Sequence, residues 1–247
     1  MTTTSQQVAL VTGANKGLGR ETARRLAAAG MTVLAGARDA GRGQAAAAEL
    51  AAGGADVRFL QLDVTDADSV KRAAAWIEET FGRLDVLVNN AGISVENRAP
   101  VTEVTADQMR RTYETNVFGI VTVTNTLLPL LRRAEGARIV NVSSMLGSLS
   151  MAADPEGPFT AWPGAFLLAY NSSKTALNAL TVTWASALRA EGIMVNSADP
   201  GYVATDLNHH SGNSTVEQGA EVIVALATLA ADGPTGTFQA AAGTRPW

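Results

Sequence analysis

The stretch VALVTGANKGLGRETARRLAAAG, residues 8–30, reads as a short apolar strand, a glycine-rich turn and an amphipathic helix, in that order. Gly13, Gly17 and Gly19 fall in the turn, with Asn15, Lys16 and Leu18 between them. Glycines alone fit any tight strand-to-helix turn; the order carries the further reading. Placed after a first strand, they let the backbone approach a pyrophosphate, whose charge then rests on the N-terminus of the helix. The spacing is Gly-x3-Gly-x-Gly, not the more widespread Gly-x-Gly-x2-Gly.

The same alternation runs to the end of the chain. VALV (8–11), TVLAG (32–36), VRFLQL (57–62), DVLVNN (85–90), RIVNVS (138–143) and IMVNSA (193–198) are short runs, apolar on both faces, as parallel strands covered by helices must be. A weaker seventh strand is expected at 236–240. Thr65 with Asp68 and Thr105 with Gln108 have capping-box spacing and predict helix starts near Asp66 and Ala106. The second of these helices is expected to run unbroken over 106–133. Strand–helix alternation with right-handed crossovers predicts an α/β fold: one Rossmann-type, doubly wound sheet of about seven parallel strands, with helices on both faces. No linker or shift of composition marks a second domain, so residues 1–247 are expected to form one. Two stretches break the rhythm, 145–168 and the polar TDLNHHSGNS at 205–214. Both follow strand C-termini, where open α/β sheets bind ligands, and both are read as substrate loops.

With 47 % hydrophobic and 17 % charged residues, the chain can bury a substantial core. A net charge of -4 without a basic cluster leaves no footprint for nucleic acid or anionic membrane. The absence of cysteine excludes disulfides, thiol nucleophiles and thiolate metal sites. No apolar run is long enough to span a bilayer, and the start MTTTSQQ has no cationic leader, which predicts a cytoplasmic protein.

Tyr170 and Lys174 stand four apart in AYNSSK, on one face of a predicted helix. A phenol is a poor proton donor or acceptor at neutral pH, and a neighbouring ammonium favours the phenolate, so the pair reads as a proton donor with its tuner. Composition supports this over a surface pair: the chain has 16 arginines and three lysines, and two of those lysines, Lys16 and Lys174, fall in site motifs. After the second strand come Ala37, Arg38 and Asp39. An acidic residue there would recognise a ribose 2'-hydroxyl, whereas Arg38, seconded by Lys16, suits a 2'-phosphate. The expectation is NADPH over NADH, with Asp39 a register shift away from reversing it.

TGANKGLG (12–19), LDV (62–64), NNAG (89–92), Asn116, VSS (142–144), YNSSK (170–174) and Pro200-Gly201 stand in one order along nearly the whole chain. That order resembles the short-chain dehydrogenase/reductase family, and TGANKGLG, GARDAGRGQ and LDVLVNNAGI resemble its carbonyl-reductase-like branch. The resemblance implies a catalytic set of Asn116, Ser144, Tyr170 and Lys174, with Ser143 as the alternative serine. It implies that Ser144 and Tyr170 hydrogen-bond a carbonyl oxygen, that Lys174 also binds the nicotinamide ribose, and that Asn116 holds a water chain leading to the lysine. Asp63 would meet the adenine amino group and Thr205 the nicotinamide carboxamide. The region of Asn89 would line the adenosine ribose. Val64, Asn90, Ala91, Gly92, Pro200, Gly201 and Val203 complete the expected cofactor contacts.

The chain departs from the family between serine and tyrosine, where 25 residues intervene, many more than is usual. Pro155, Phe159, Trp162 and Phe166 in that excess are expected to wall an apolar pocket, and Met145, Trp162, Phe166, Tyr202 and His209 are the predicted substrate contacts. The partner is thus a small hydrophobic carbonyl compound, ketone or aldehyde. A homo-oligomer, dimer or tetramer, is expected from the resemblance, but the long insertion leaves a monomer open. His209 and His210 lack a third ligand, so no metal is expected. Two other readings stay on the table: an NADP(H)-binding sensor without turnover, and a reductase of imines or activated alkenes on the same scaffold. A halohydrin enzyme would need an arginine where Lys174 stands.

Overall fold

The computed structural model describes residues 6–96, 99–160, 162 and 165–247. The expectations for the first five residues and for Pro163 in the long insertion lie outside that set. Strands β1 (Val8–Thr12), β2 (Thr32–Ala37), β3 (Val57–Gln61), β4 (Val86–Asn89), β5 (Arg138–Val142), β6 (Met194–Asp199), β7 (Phe238–Ala240) and β8 (Gly243–Thr244) form one sheet in the order 3-2-1-4-5-6-7-8. The first seven pair in parallel; β8 is a two-residue strand antiparallel to β7 that the sequence pattern did not announce. Strand order reverses between β1 and β4, and that reversal opens a crevice at the C-terminal edge of the sheet.

The period-2 alternation of β1 shows how the layers are built. Val8 and Leu10 join a core on one face with α3 (Ala67–Phe81), α5 (Ile120–Leu131) and α7 (Leu168–Leu188). Ala9 and Val11 join a second core with α1 (Gly17–Ala28), α2 (Ala40–Ala51) and α8 (Val216–Ala227). Burial on both faces does not hold for β3. It is an edge strand, and Arg58 and Gln61 are exposed. Its solvent side needs polar residues, and the apolar letters around them hid this.

Two helix expectations are corrected. Asp66, not Thr65, caps α3 by accepting from the N–H of Asp68, because the Thr65 hydroxyl is turned to Asp63. The long helix over 106–133 is three pieces: α4 (Ala106–Tyr113), a π-helical turn (Glu114–Gly119) and α5, ending at Leu131. The predicted capping box of Thr105 and Gln108 is present at the start of α4. The long insertion holds a 3-10 turn at Met145–Gly147 and a short helix, α6 (Leu149–Ala153), before α7.

The chain end returns to the sheet. Trp247 stacks on Phe238 with ring centroids 5.6 Å apart, its carbonyl accepts from the N–H of Ser150 in α6, and Arg245 Nε donates to Asp199 Oδ2 at 3.1 Å. Residues 243–247 are thus a strap across the outer part of the sheet. Among the described residues no helix is long and apolar enough to cross a membrane.

Candidate active site

The crevice is a cleft of about 1040 Å³ lined along one end by the glycine turn and along the other by Ser144, Tyr170 and Lys174. Gly13 and Gly17 have φ of 66° and 54°, a left-handed backbone that glycine adopts without strain. Space is as tight as conformation: a Cβ on Gly19 would lie 2.4 Å from Asn90 Nδ2 and 2.5 Å from the carbonyl of Gly13. Asn90 explains the closeness. Its Nδ2 donates to the carbonyls of Thr12 and Gly13, while the N–H groups of Asn90 and Ala91 both donate to Thr12 Oγ1. Asn89 points elsewhere, into the buried sheet, where it donates to Thr124 and Asn141; it does not line the cleft.

Helix α1 begins at this turn with no side-chain cap and no acidic residue in its first turn. Helices α2, α3, α4 and α8 are each capped by their own Asp39, Asp66, Thr105 and Thr215. Uncapped amides at the mouth of a cleft, on the positive end of a helix dipole, fit a pyrophosphate. Farther along the cleft, Arg38 is exposed and among the described residues has no ion pair, whereas Asp39 accepts from the Arg42 N–H and faces its guanidinium at 3.2 Å. Arg20, Arg24 and Arg42 also line the cleft and were not singled out in the sequence. The Asp63 carboxylate is oriented at the wall by the N–H and hydroxyl of Thr65.

Lys16 does not stand beside Arg38 as a second free cation. Its ammonium pairs with Asp206 at 2.5 Å, and Asp206 also meets His210 Nε2 at 2.7 Å. These contacts hold the Asp206 carboxyl below its ordinary value, through Lys16 first and His210 second. They also link the glycine turn to the 205–214 loop, where Thr205 and His209 line the cleft. His209 and His210 both take positive φ, and among the described residues no cluster of metal-ligating side chains is present. Val64, Gly92, Pro200, Gly201 and Val203 also line the cleft.

At the reactive end, β5 delivers Ser143 and Ser144 and α7 delivers Tyr170 and Lys174. Ser143 is buried, with its hydroxyl given to Asn178 Oδ1 at 2.7 Å. Ser144 is half-buried, lines the cleft with Tyr170, and its hydroxyl accepts from the N–H of Leu146. Lys174 Nζ donates to the carbonyl of Val142 at 2.8 Å and lies 5.5 Å from the Tyr170 ring centroid. The expected tuning is therefore corrected. Burial pushes the Tyr170 phenol well above its ordinary pKa, the Asp199 carboxylate adds to the rise, and only the neighbouring Ser144 hydroxyl opposes it. Burial also lowers Lys174, to about 8. The ammonium is held at a backbone carbonyl and faces the ring, and neither burial nor Asp199 could be read from the i,i+4 spacing.

Asn116 lies in the π turn, fully buried, with Oδ1 accepting from the N–H of Ile93 and Nδ2 donating to the Ile93 carbonyl and to Ser173 Oγ. A Cβ on Gly92 would come 3.5 Å from Asn116 Oδ1 and 3.6 Å from Lys174 Nζ, so both groups border the same small space. Met145, Trp162 and Tyr202 line the cleft, with Trp162 edge-on to Tyr202 at 5.0 Å. Phe166 does not: it is exposed and edge-on to Phe159, whose ring fills a small core with Leu146, Ala165 and Tyr170. Pro155 is exposed as well. Phe159 thus packs with Tyr170 in that small core instead of walling the cleft.

A crevice at the strand-order reversal, a glycine turn opening on uncapped amides and a Ser–Tyr–Lys cluster opposite define a dinucleotide-binding α/β oxidoreductase. A family profile described as short chain dehydrogenase matches residues 7–215, and the chain belongs to that family, in its carbonyl-reductase-like branch. It is 37 % identical to the short-chain dehydrogenase anuI of Penicillium roqueforti, over 92 % of this chain and 91 % of that one. It is 34 % identical to carbonyl reductase [NADPH] 1 of Macaca fascicularis, over 98 % of both. Among solved structures, NADPH-bound carbonyl reductase from chicken fatty liver matches with a TM-score of 0.84 at 30 % identity, over 98 % of this chain and 99 % of that one.

Proposed function

We propose that the protein reduces a ketone or aldehyde to the alcohol with NADPH, reversibly, using Tyr170 as the proton donor. The observation that carries this reading is the meeting of Ser144, Tyr170 and Lys174 at one end of a cleft whose other end presents the uncapped amides of α1. When bound, the nicotinamide supplies the hydride to the carbonyl carbon.

The chain's own residues do the rest. Gly13, Asn15, Gly17, Leu18 and Gly19 bring backbone amides to the pyrophosphate, and Asp63, Val64, Asn90 and Ala91 form the adenosine side. Ser144 and Tyr170 direct two hydroxyls at the carbonyl oxygen and stabilise the charge that gathers there. Tyr170 then gives up its proton. Lys174 holds the nicotinamide ribose. Asn116, beside Lys174 at Gly92, leads the returning proton through water. Met145, Trp162, Tyr202 and His209 receive the apolar part of the substrate.

The preference for NADPH over NADH rests on Arg38, unpaired among the described residues, and on Asp39, which is engaged as the cap of α2. A guanidinium can take the 2'-phosphate in two hydrogen bonds. Arg38→Ala should weaken NADPH binding and leave NADH nearly unchanged; an unchanged ratio of the two dissociation constants would refute the assignment.

Turnover is tested by cofactor absorbance with NADPH or NADH and a panel of aromatic and aliphatic ketones, aldehydes and 1,2-diketones. Carbonyl-dependent loss of NADPH, abolished in Tyr170→Phe with cofactor binding intact, is the expected result. Binding without turnover across the panel favours the sensor instead.

A further inference from the structure

Glu96 lies at the end of the segment that leaves β4, and it is 1 % exposed. A buried carboxylate needs partners. Here both oxygens have one: Oε1 accepts from the N–H of Ala169 and Oε2 from the N–H of Tyr170, each at 2.8 Å. These two amides are the second and third positions of α7, the pair that an N-cap side chain ordinarily satisfies. The N-cap of α7 is Leu167, which has no acceptor, and the first turn of the helix has no acid. Helices α2, α3, α4 and α8 use caps from their own N-cap positions. Helix α7 borrows its cap from more than 70 residues upstream in the chain.

The lender matters. The segment 90–96 begins against the glycine turn, through Asn90 and Thr12, and passes Asn116 at Ile93. It ends on the backbone of Tyr170. A local cap would fix the first turn of α7 only relative to itself. A cap from this segment fixes that turn relative to the cofactor crevice, and a carboxylate on the positive end of a 21-residue helix is the stronger acceptor for the task.

We propose that Glu96 is a positioning residue for Tyr170: its carboxylate clamps the start of α7 to the loop that lines the cofactor crevice. The inference rests on the reading of Tyr170 as proton donor, and its test has one arm that needs no turnover. Backbone hydrogen exchange at 168–171 and NADPH affinity are measured for the wild type, Glu96→Ala, Glu96→Gln, and Glu96→Ala combined with Leu167→Ser, the last read against Leu167→Ser alone. Turnover of a carbonyl substrate is measured for the same set.

In Glu96→Ala the amides of Ala169 and Tyr170 should exchange at least ~10-fold faster, a difference of about 1.4 kcal/mol in local opening. The NADPH dissociation constant should move by less than about twofold while kcat falls by ~10-fold or more at little change in KM. The serine at position 167 supplies a local cap, so it should restore exchange protection but only part of kcat. Glu96→Gln keeps the volume and one acceptor, and it should shift both readouts in the same direction by less; it serves where the alanine variant fails to fold. Unchanged exchange in both Glu96 variants overturns the inference whatever the enzyme reduces. Full recovery of kcat by the local cap also overturns it, because the role is then helix stability alone. Unchanged turnover in Tyr170→Phe would instead overturn the reading of the tyrosine and leave the exchange result standing.

Discussion

At the scale of single residues, the pH dependence of the reaction follows from burial. The Tyr170 phenol is pushed far up, so it stays protonated, and competent as a donor, throughout the neutral and mildly alkaline range. Lys174, lowered to about 8, is the group that changes charge there: it is a cation below that pH and loses its proton as pH rises through it. The kcat/KM for carbonyl reduction, which reports groups of the free enzyme, should therefore fall above a midpoint near 8. Lys174→Arg keeps its charge at any working pH, so whatever activity it retains should lack that limb. A limb persisting in the arginine variant would assign the titration elsewhere. Tyr170 and Lys174 stood out in the sequence by their i,i+4 spacing and the scarcity of lysine, whereas Ser144 was reached only through the family resemblance. Their electrostatics were not legible, since desolvation depends on what covers a group. The same limit misplaced Phe166: in sequence it and Phe159 are equivalent aromatics, and only packing decides which ring is buried.

At the scale of elements, local signals held where the chain satisfies itself locally. The capping box of Thr105 and Gln108 is such a case, and Thr105→Ala should cost about 1 kcal/mol in urea unfolding. Signals failed where an element depends on a distant one. The cap of α7 is one example; the π turn is another, since nothing in ETNVFG departs from a helical pattern, yet the wide turn delivers Asn116 to Ile93. Deleting one residue from that turn would let it close into an α-helix and rotate Asn116 by about 100° relative to α4 or α5. Such a variant should fold with its turnover lost, as circular dichroism and an activity assay would show. Close packing of elements gives a further expectation. A Cβ at Gly147 would lie 2.7 Å from the backbone carbon of Lys174 and 2.9 Å from the N–H nitrogen of Thr175. Backbone does not yield as a side chain does, so Gly147→Ala should displace α7, cost about 1–3 kcal/mol and reduce turnover. At Gly53 the nearest atom is 3.7 Å away, and alanine there is the matched control for thermal unfolding.

At the scale of the whole molecule, most of the architecture was legible. Alternating strands and helices with right-handed crossovers leave few sheet orders, and the loops at 145–168 and 205–214 do gather at the C-terminal edge. The strap at 243–247 was not legible, because a two-residue strand has no periodicity and the partner of Arg245 lies 46 residues away. Its energetic weight is testable. Asp199 is 2 % exposed, and among the described residues Arg245→Ala leaves its carboxylate with only the N–H of Gly201. The loss should be on the order of 2 kcal/mol in chemical unfolding, less than for a fully buried pair because the guanidinium is partly exposed. A midpoint equal to the wild type would show that the pair contributes nothing.

The strap also sets an order of events during synthesis. A chain emerging from the ribosome presents the glycine turn, β4 and its loop early, so the phosphate end of the crevice can assemble while translation continues. The reactive end cannot. Asp199 is made before Arg245, and until the arginine arrives a growing chain that closes β6 against β5 must bury a carboxylate behind Tyr170 without its ion-pair partner. The residues of the phosphate end are thus in place along the chain before the ion pair behind Tyr170 can form.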